Sequence, residues 1–173
     1  MRRKIVLFII ITICFVLQTT LFKSFAIAGI SPNLLIIAVS SFGFMRGKKE
    51  GLWIGLFSGL LIDIFCGNYL GVYALIYMYI GFINGFFQKS YYPDDIKLPM
   101  PLIGGSDLIY NLFVYFIMFL LRGRFQFWYY LKSIIIPDFV YTMVVSILLY
   151  LLFLKINQKL EEHEKRRAKK FDL

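Results

Sequence analysis

The sequence predicts an all-helical membrane protein with six transmembrane helices. Of its 173 residues, 60% are hydrophobic and only 17% are charged, and the mean hydropathy is +0.73. Soluble domains are about 45–50% apolar and about 25% charged, and disordered chains need still more charge. Because one membrane span takes about 20 apolar residues, a chain of this length holds six or seven spans and no separate soluble domain.

Six apolar runs define a transmembrane domain over residues 1–154, followed by a charged tail at 155–173. The runs cover residues 5–22, 25–45, 51–66, 69–87, 98–121 and 131–154. The first follows a basic start and could instead be a signal peptide, because Ala26-Ile27-Ala28 resembles a cleavage site. Its 18 residues exceed a usual signal core, so we interpret it as a span.

The remaining runs are bounded by proline, glycine and charged residues. The second run could begin as late as Pro32, with Ser31 as the helix cap. The third is short, about 24 Å at the helical rise, and the fourth follows the uncharged turn around Gly67. The fifth begins near Pro99, and the sixth follows an aromatic stretch at residues 125–130 that is typical of a membrane interface.

The distribution of basic residues predicts the orientation in the membrane. Six spans place both termini on one side, and that side carries 15 of the 19 Lys and Arg residues. By the positive-inside rule both termini are cytoplasmic. The net charge of +9 then reflects topology and contact with anionic lipid, and does not indicate nucleic-acid binding. Arg46, Lys48 and Lys49 form a cytoplasmic basic loop, for which we weigh docking to lipid or to a filament against topology alone.

The sequence has no pattern that indicates a metal site, a cofactor or catalysis. Cys14 and Cys66 lie in different runs, and His163 lies in the charged tail, so no set of metal ligands has a recognisable spacing. No serine has a base at a readable spacing, and no glycine-rich phosphate loop is present. We therefore predict a protein that is not an enzyme.

Small residues mark helix-packing surfaces in the third and fourth runs. Gly51, Gly55 and Gly59 follow one another at intervals of four and form one face of the third helix. Such small-xxx-small patterns allow a second helix to approach closely. Gly81 and Gly85 give the fourth helix a similar face. We predict that these glycines pack helices together or form an interface with a partner.

Polar residues inside the runs predict a polar interior. Asp63 continues the glycine face of the third helix. Asp107, Asn111 and Tyr115 share one face of the fifth helix, and Asp138 and Thr142 share one face of the sixth. Two interpretations stay open: these faces pack helices together, or they line a central polar pocket for a ligand or a partner helix. The predicted interior residues are Asp63, Tyr77, Asp107, Asn111, Tyr115, Asp138 and Thr142.

Short motifs between residues 31 and 86, about a third of the chain, resemble the MreD family of bacterial rod shape-determining proteins. The motifs are P-N-L-L at 32–35, G-F-M-R-G-K-K-E-G at 43–51, Gly55, G-L-L-I-D at 59–63, Gly67, Gly71 and Y-A-L at 73–75. The resemblance implies a non-enzymatic, multi-pass subunit of the cell-elongation machinery in the bacterial plasma membrane. It also implies partners: the bitopic protein MreC, MreB filaments, the RodA glycosyltransferase and its penicillin-binding transpeptidase.

The MreD family is similar in architecture to the substrate-binding subunits of energy-coupling-factor vitamin transporters. A rival function is therefore such a transporter subunit, with Asp107, Asn111, Tyr115 and Asp138 lining the pocket. An intramembrane enzyme is a weaker rival, because the carboxylates have no histidine, nucleophile or metal cluster beside them.

Overall fold

The computed structural model describes residues 2–21, 30–67, 70–92, 97–117 and 127–171, and this part of the chain is built from helices, as predicted. Gly85–Ser90 forms a 3₁₀ turn after the fourth helix. The sixth helix is directly preceded by two helical turns, an α-helical one at Phe127–Tyr130 and a π-helical one at Leu131–Ile135. The six helices are α1 (Arg2–Thr19), α2 (Leu34–Arg46), α3 (Lys48–Phe65), α4 (Val72–Asn84), α5 (Pro99–Tyr115) and α6 (Ile136–Phe171).

Two helices begin later than the apolar runs predict. Residues 31–33 are not helical, and α2 begins at Leu34 with Asn33, not Ser31, as its cap. The Asn33 side-chain oxygen accepts the backbone N–H of Ile36 at 3.2 Å, which satisfies one of the free donors at a helix start. α4 begins at Val72 because Gly71 has a φ of +100°, a left-handed conformation that favours glycine. Residues 22, 25–29, 69 and 118–121 of the predicted spans lie outside the described residues.

Helix α2 is the centre of the fold. Every residue from Leu34 to Met45 is buried, and α2 packs against each of the other five helices. A helix that is apolar on all sides is expected to be surrounded by protein, and its 13 residues reach only about 20 Å. The polar residues that face α2 therefore lie deep inside the protein.

Helix α6 has the opposite surroundings. Together with the turns before it, α6 forms the one helix in the described residues, Trp128–Glu162, that is long and apolar enough to cross a membrane by length and composition. Shorter apolar helices lie at Lys4–Thr19 and Leu34–Arg46. Val144 and Leu148 of α6 are 60% and 72% exposed, as expected for side chains that face lipid. The backbone remains helical to Phe171, so most of the charged tail continues this helix.

Candidate functional site

Hydrogen bonds between buried polar side chains connect four helices. Asn111 of α5 donates its Nδ2 to Asp138 Oδ2 of α6 at 2.8 Å. Thr142, one turn further along α6, also hydrogen-bonds to the Asp138 carboxylate, and its Oγ1 accepts the backbone N–H of Asn33 at 3.2 Å. The Tyr77 hydroxyl of α4 donates to Asn33 Oδ1 at 2.8 Å. We call these five buried residues the polar seam: Asn33, Tyr77, Asn111, Asp138 and Thr142.

The polar seam follows from the spacing of its residues. Asp138 and Thr142 are four residues apart, so they lie on the same face of α6. Asn33 caps α2, and this position places its side chain between α4 and α6. In a low-dielectric interior such bonds hold helices in a fixed arrangement, because an unpaired polar group there is costly. The polar seam therefore fixes the start of the central helix against three neighbours.

Asp107 lies beside the polar seam and differs from its members. Its side chain is fully buried, and neither carboxylate oxygen has a hydrogen-bond partner within the described ranges. Its backbone carbonyl accepts Asn111 Nδ2 at 3.1 Å, so one amide group contacts both Asp107 and Asp138. A fully buried, unpaired carboxylate is unusual and calls for a physical explanation.

Asp63 and Tyr115, two residues expected in the polar interior, lie elsewhere. The Asp63 carboxylate accepts the backbone N–H groups of Gly71, Tyr73 and Ala74 at 2.9–3.0 Å. It therefore caps the start of α4, because the short connection after α3 places the free donors of α4 over it. The ring of Tyr115 instead packs against that of Tyr130 in a separate apolar cluster, and the ring centres are 5.0 Å apart.

The glycine face of α3 packs against α4 of the same chain. A Cβ atom at Gly55 would lie 2.1 Å from the carbonyl oxygen of Tyr77, and one at Gly51 would lie 2.2 Å from that of Gly81. At Gly59 the nearest atom of α4, the Ala74 Cα, would be 2.4 Å away. The backbones of the two helices are thus in direct contact. This face is occupied within the chain, so it is not available as an interface with a partner helix.

Gly85 has the same kind of contact at the other end of α4. A Cβ atom there would lie 2.4 Å from the backbone nitrogen of Lys48, at the start of α3. The close approach of α3 and α4 therefore extends from Lys48, at the start of α3, to Gly59. This close approach requires glycine at five positions: Gly51, Gly55, Gly59, Gly81 and Gly85.

The three residues of the basic loop have different surroundings. Arg46 donates its Nε to Asn157 Oδ1 of α6, and Asn157 in turn donates to Glu161 at 2.8 Å. The Lys48 ammonium lies 3.5 Å from the centre of the Phe86 ring, while Lys49 is exposed. Arg46 therefore connects α2 to α6, and the two lysines remain at the surface.

A lateral groove of about 340 Å³ lies between α1 and α3. The ring centres of Phe8 and Phe57 are 4.3 Å apart, and those of Phe15 and Phe65, about two turns further along each helix, are 5.5 Å apart. The two helices therefore run side by side in the same direction. Most of its lining is apolar, with one basic and one acidic residue near the helix starts. The lining residues are Lys4, Leu7, Phe8, Ile11, Glu50, Trp53, Ile54 and Phe57.

Comparison with known proteins assigns the family. The sequence model of one family, rod shape-determining protein MreD, matches residues 1–160. The chain belongs to the MreD family. No curated protein and no solved structure matches it, so the expected likeness to vitamin-transporter subunits is without support. MreD proteins are bacterial membrane proteins of the MreBCD shape-determining system, and this assignment confirms the family predicted from the sequence motifs.

Several residues that shape this MreD protein were not predicted from the sequence. Asn33 lies within a recognised motif, but its role as a junction depends on Tyr77 and Thr142, far away in the chain. Asn84 donates to Ser106 Oγ at 2.7 Å and connects α4 to α5. Asn is rare in apolar runs, and a polar side chain in a membrane helix usually has a hydrogen-bond partner. This rarity was the signal in the sequence that could have indicated a structural role for both residues.

Proposed function

We propose that this chain is a non-enzymatic, multi-pass subunit of the bacterial cell-elongation complex, with both termini in the cytoplasm. It supports rod shape by binding a bitopic MreC-like protein. It also associates with the RodA glycosyltransferase, its penicillin-binding transpeptidase and MreB filaments. The observation that carries the proposal is the MreD family match over residues 1–160. The structure adds support, because the hydrogen bonds of the polar seam hold the helices together.

The groove between α1 and α3 is the surface that best suits a single partner helix. The glycine face of α3 is already covered by α4, whereas Trp53 and Phe8 in the groove are 67% and 50% exposed. A membrane helix gains stability from packing into a concave surface, and tryptophan is enriched where such contacts carry the most binding energy. Lys4 and Glu50 supply a polar contact near the helix starts.

The exposed lysines suit a second type of contact. Lys49 is exposed at the start of α3, and Lys48 lies over Phe86 without being buried. On the cytoplasmic face, each such charge attracts anionic lipid with about 1 kcal/mol. We therefore assign these two residues to contact with anionic lipid headgroups or with the filament, and we assign Arg46 to the fold.

Affinity purification from gentle detergent, followed by mass spectrometry of the bound proteins, tests the proposal. The full chain should recover an MreC-like bitopic protein together with cell-wall synthesis enzymes. Trp53→Ala should reduce that recovery, whereas Leu148→Ala, an exposed apolar residue on α6, should leave it unchanged. Recovery of paired ATPases with a coupling subunit in place of these proteins would refute the proposed function.

The two variants also separate the function from the location of the contact. If both variants recover the bitopic partner as well as the unsubstituted chain does, the complex stands but the groove is not its contact surface. If Leu148→Ala alone loses the partner, the contact lies on α6.

A further inference from the structure

We propose that Asp107, beside Asp138, binds one hard monovalent cation, a proton or an alkali ion, inside the helix bundle. Two buried carboxylates on neighbouring helices, with unequal surroundings, form this site. It is independent of which proteins the chain binds.

Without a bound cation, the interior between α5 and α6 would carry two negative charges. Asp107 is fully buried and Asp138 is 7% exposed, and the Asn111 amide contacts both residues. Two negative charges in a low-dielectric interior are strongly unfavourable without compensation. The sequence has no Lys or Arg at residues 98–121 or 133–154, so α5 and the membrane part of α6 supply no counter-charge. A positive charge from outside these helices is therefore required to balance the two carboxylates.

The two carboxylates differ in their hydrogen bonds. Asp138 is stabilised by hydrogen bonds from Asn111 and Thr142. Both oxygens of Asp107 lack a hydrogen-bond partner among the described residues. A negative charge on Asp138 is thus supported by the polar seam, while Asp107 is the carboxylate that needs a cation.

The polar groups at the two carboxylates favour one class of cation. They are the Asn111 amide, the Thr142 hydroxyl and the carboxylates themselves, and oxygen atoms of these kinds favour hard cations over softer metals. The titratable groups that face this site are Tyr77 of α4, Tyr110 of α5, and Tyr130 and Asp138 from the α6 side. On α2, which also packs against α5, the one titratable side chain is Arg46, and it bonds to Asn157. A cation at Asp107 therefore meets oxygen atoms and no competing positive charge from these helices.

Labelling of the purified full-length protein in lipid nanodiscs tests the proposal. Dicyclohexylcarbodiimide reacts with a protonated carboxyl group in an apolar environment and forms a stable adduct that peptide mass spectrometry locates. Labelling of Asp107 that sodium or potassium chloride suppresses, but choline chloride does not, identifies an alkali ion. Labelling that no salt suppresses and that declines with rising pH identifies a proton. Thermal unfolding in the same salts and pH values gives an independent readout.

Two variants complete the test. Asp107→Asn keeps the shape but removes the charge, so it should lose both the labelling and the dependence of unfolding temperature on cation or pH. Ser106→Ala, the preceding buried polar residue of α5, should keep both responses. The proposal is overturned if Asp107 is not labelled at any pH and the unfolding temperature shows no cation or pH response that Asp107→Asn removes. If Asp107→Asn does not fold, the labelling of the unsubstituted chain alone decides.

Discussion

The α3–α4 pair and the α5–α6 pair hold neighbouring helices together in opposite ways. In the first pair, glycines bring the backbones into contact, and a Cβ atom at Gly81 would lie 2.0 Å from the carbonyl oxygen of Gly51. In the second, side chains span the gap, with Asn111 and Asp138 2.8 Å apart. Backbone contact has no room to adjust, whereas a hydrogen-bonded pair of side chains can respond to charge. The difference indicates a rigid half and a chemically responsive half of one bundle.

The largest expected effect is at the backbone contact. Gly81→Ala places a methyl group against the Gly51 carbonyl and should reduce the free energy of unfolding by about 3 kcal/mol, as severe overpacking does. Thermal or denaturant unfolding in detergent measures it. Gly105→Ala on α5 is the matched control, because nothing lies within 4 Å of its Cβ position. That change should be neutral or stabilising by up to about 1 kcal/mol. Equal losses of unfolding free energy at Gly81 and Gly105 would refute the contrast between the two helix pairs.

The next effect is at the cap between α3 and α4. Asp63→Ala removes the acceptor of three backbone N–H groups and should cost about 2 kcal/mol of unfolding free energy. Asp63→Asn keeps one side-chain oxygen and should lose less. Hydrogen exchange at Tyr73 and Ala74 should increase in the alanine variant, since these amides lose their partner. An unchanged exchange rate would show that Asp63 does not cap the helix.

A smaller effect is expected at the polar seam. Asn111→Ala removes the donor to Asp138 and should cost about 1–2 kcal/mol, typical of a buried hydrogen bond to a charged group. A double-mutant cycle with Asp138→Ala should show a coupling energy of similar size, because the two side chains are in direct contact. Leu112→Ala, at a 47% exposed position next to Asn111, should show no coupling with Asp138→Ala. Purely additive losses at Asn111 and Asp138 would contradict the described bond.

The smallest effect is at the surface of the basic loop. Lys49→Gln should change the free energy of unfolding by less than about 0.5 kcal/mol, because the side chain is exposed. It should nevertheless weaken association with vesicles containing anionic lipid, and more so at low ionic strength. Neutral vesicles provide the control. A large loss of stability would place Lys49 in the fold.

The contrast between the two halves explains which parts of the structure could be predicted from the sequence. Gly51, Gly55 and Gly59 form a periodic pattern on one helix, so the presence of a packing face was predictable. Its partner was not, because periodicity within one helix carries no information about which other helix covers it. Composition likewise predicted helices, but not that α2 is central.

The polar residues were predicted less completely. Asp138 and Thr142 share a helical face, and the structure brings both into the polar seam. The cap role of Asp63 depends on the path of the connection to α4, which sequence spacing does not define. The bond from Arg46 to Asn157 joins residues 111 positions apart, so no local pattern indicates it.

The central claim is that the glycine face of α3 folds this chain and does not bind a partner. The most direct test is thermal unfolding of purified Gly55→Ala without any partner, compared with Gly105→Ala. The clash with the Tyr77 carbonyl should markedly lower the unfolding temperature of the isolated Gly55 variant. An unchanged unfolding temperature, together with loss of the bitopic protein on co-purification, would contradict the account and return the glycine face to the partner interface.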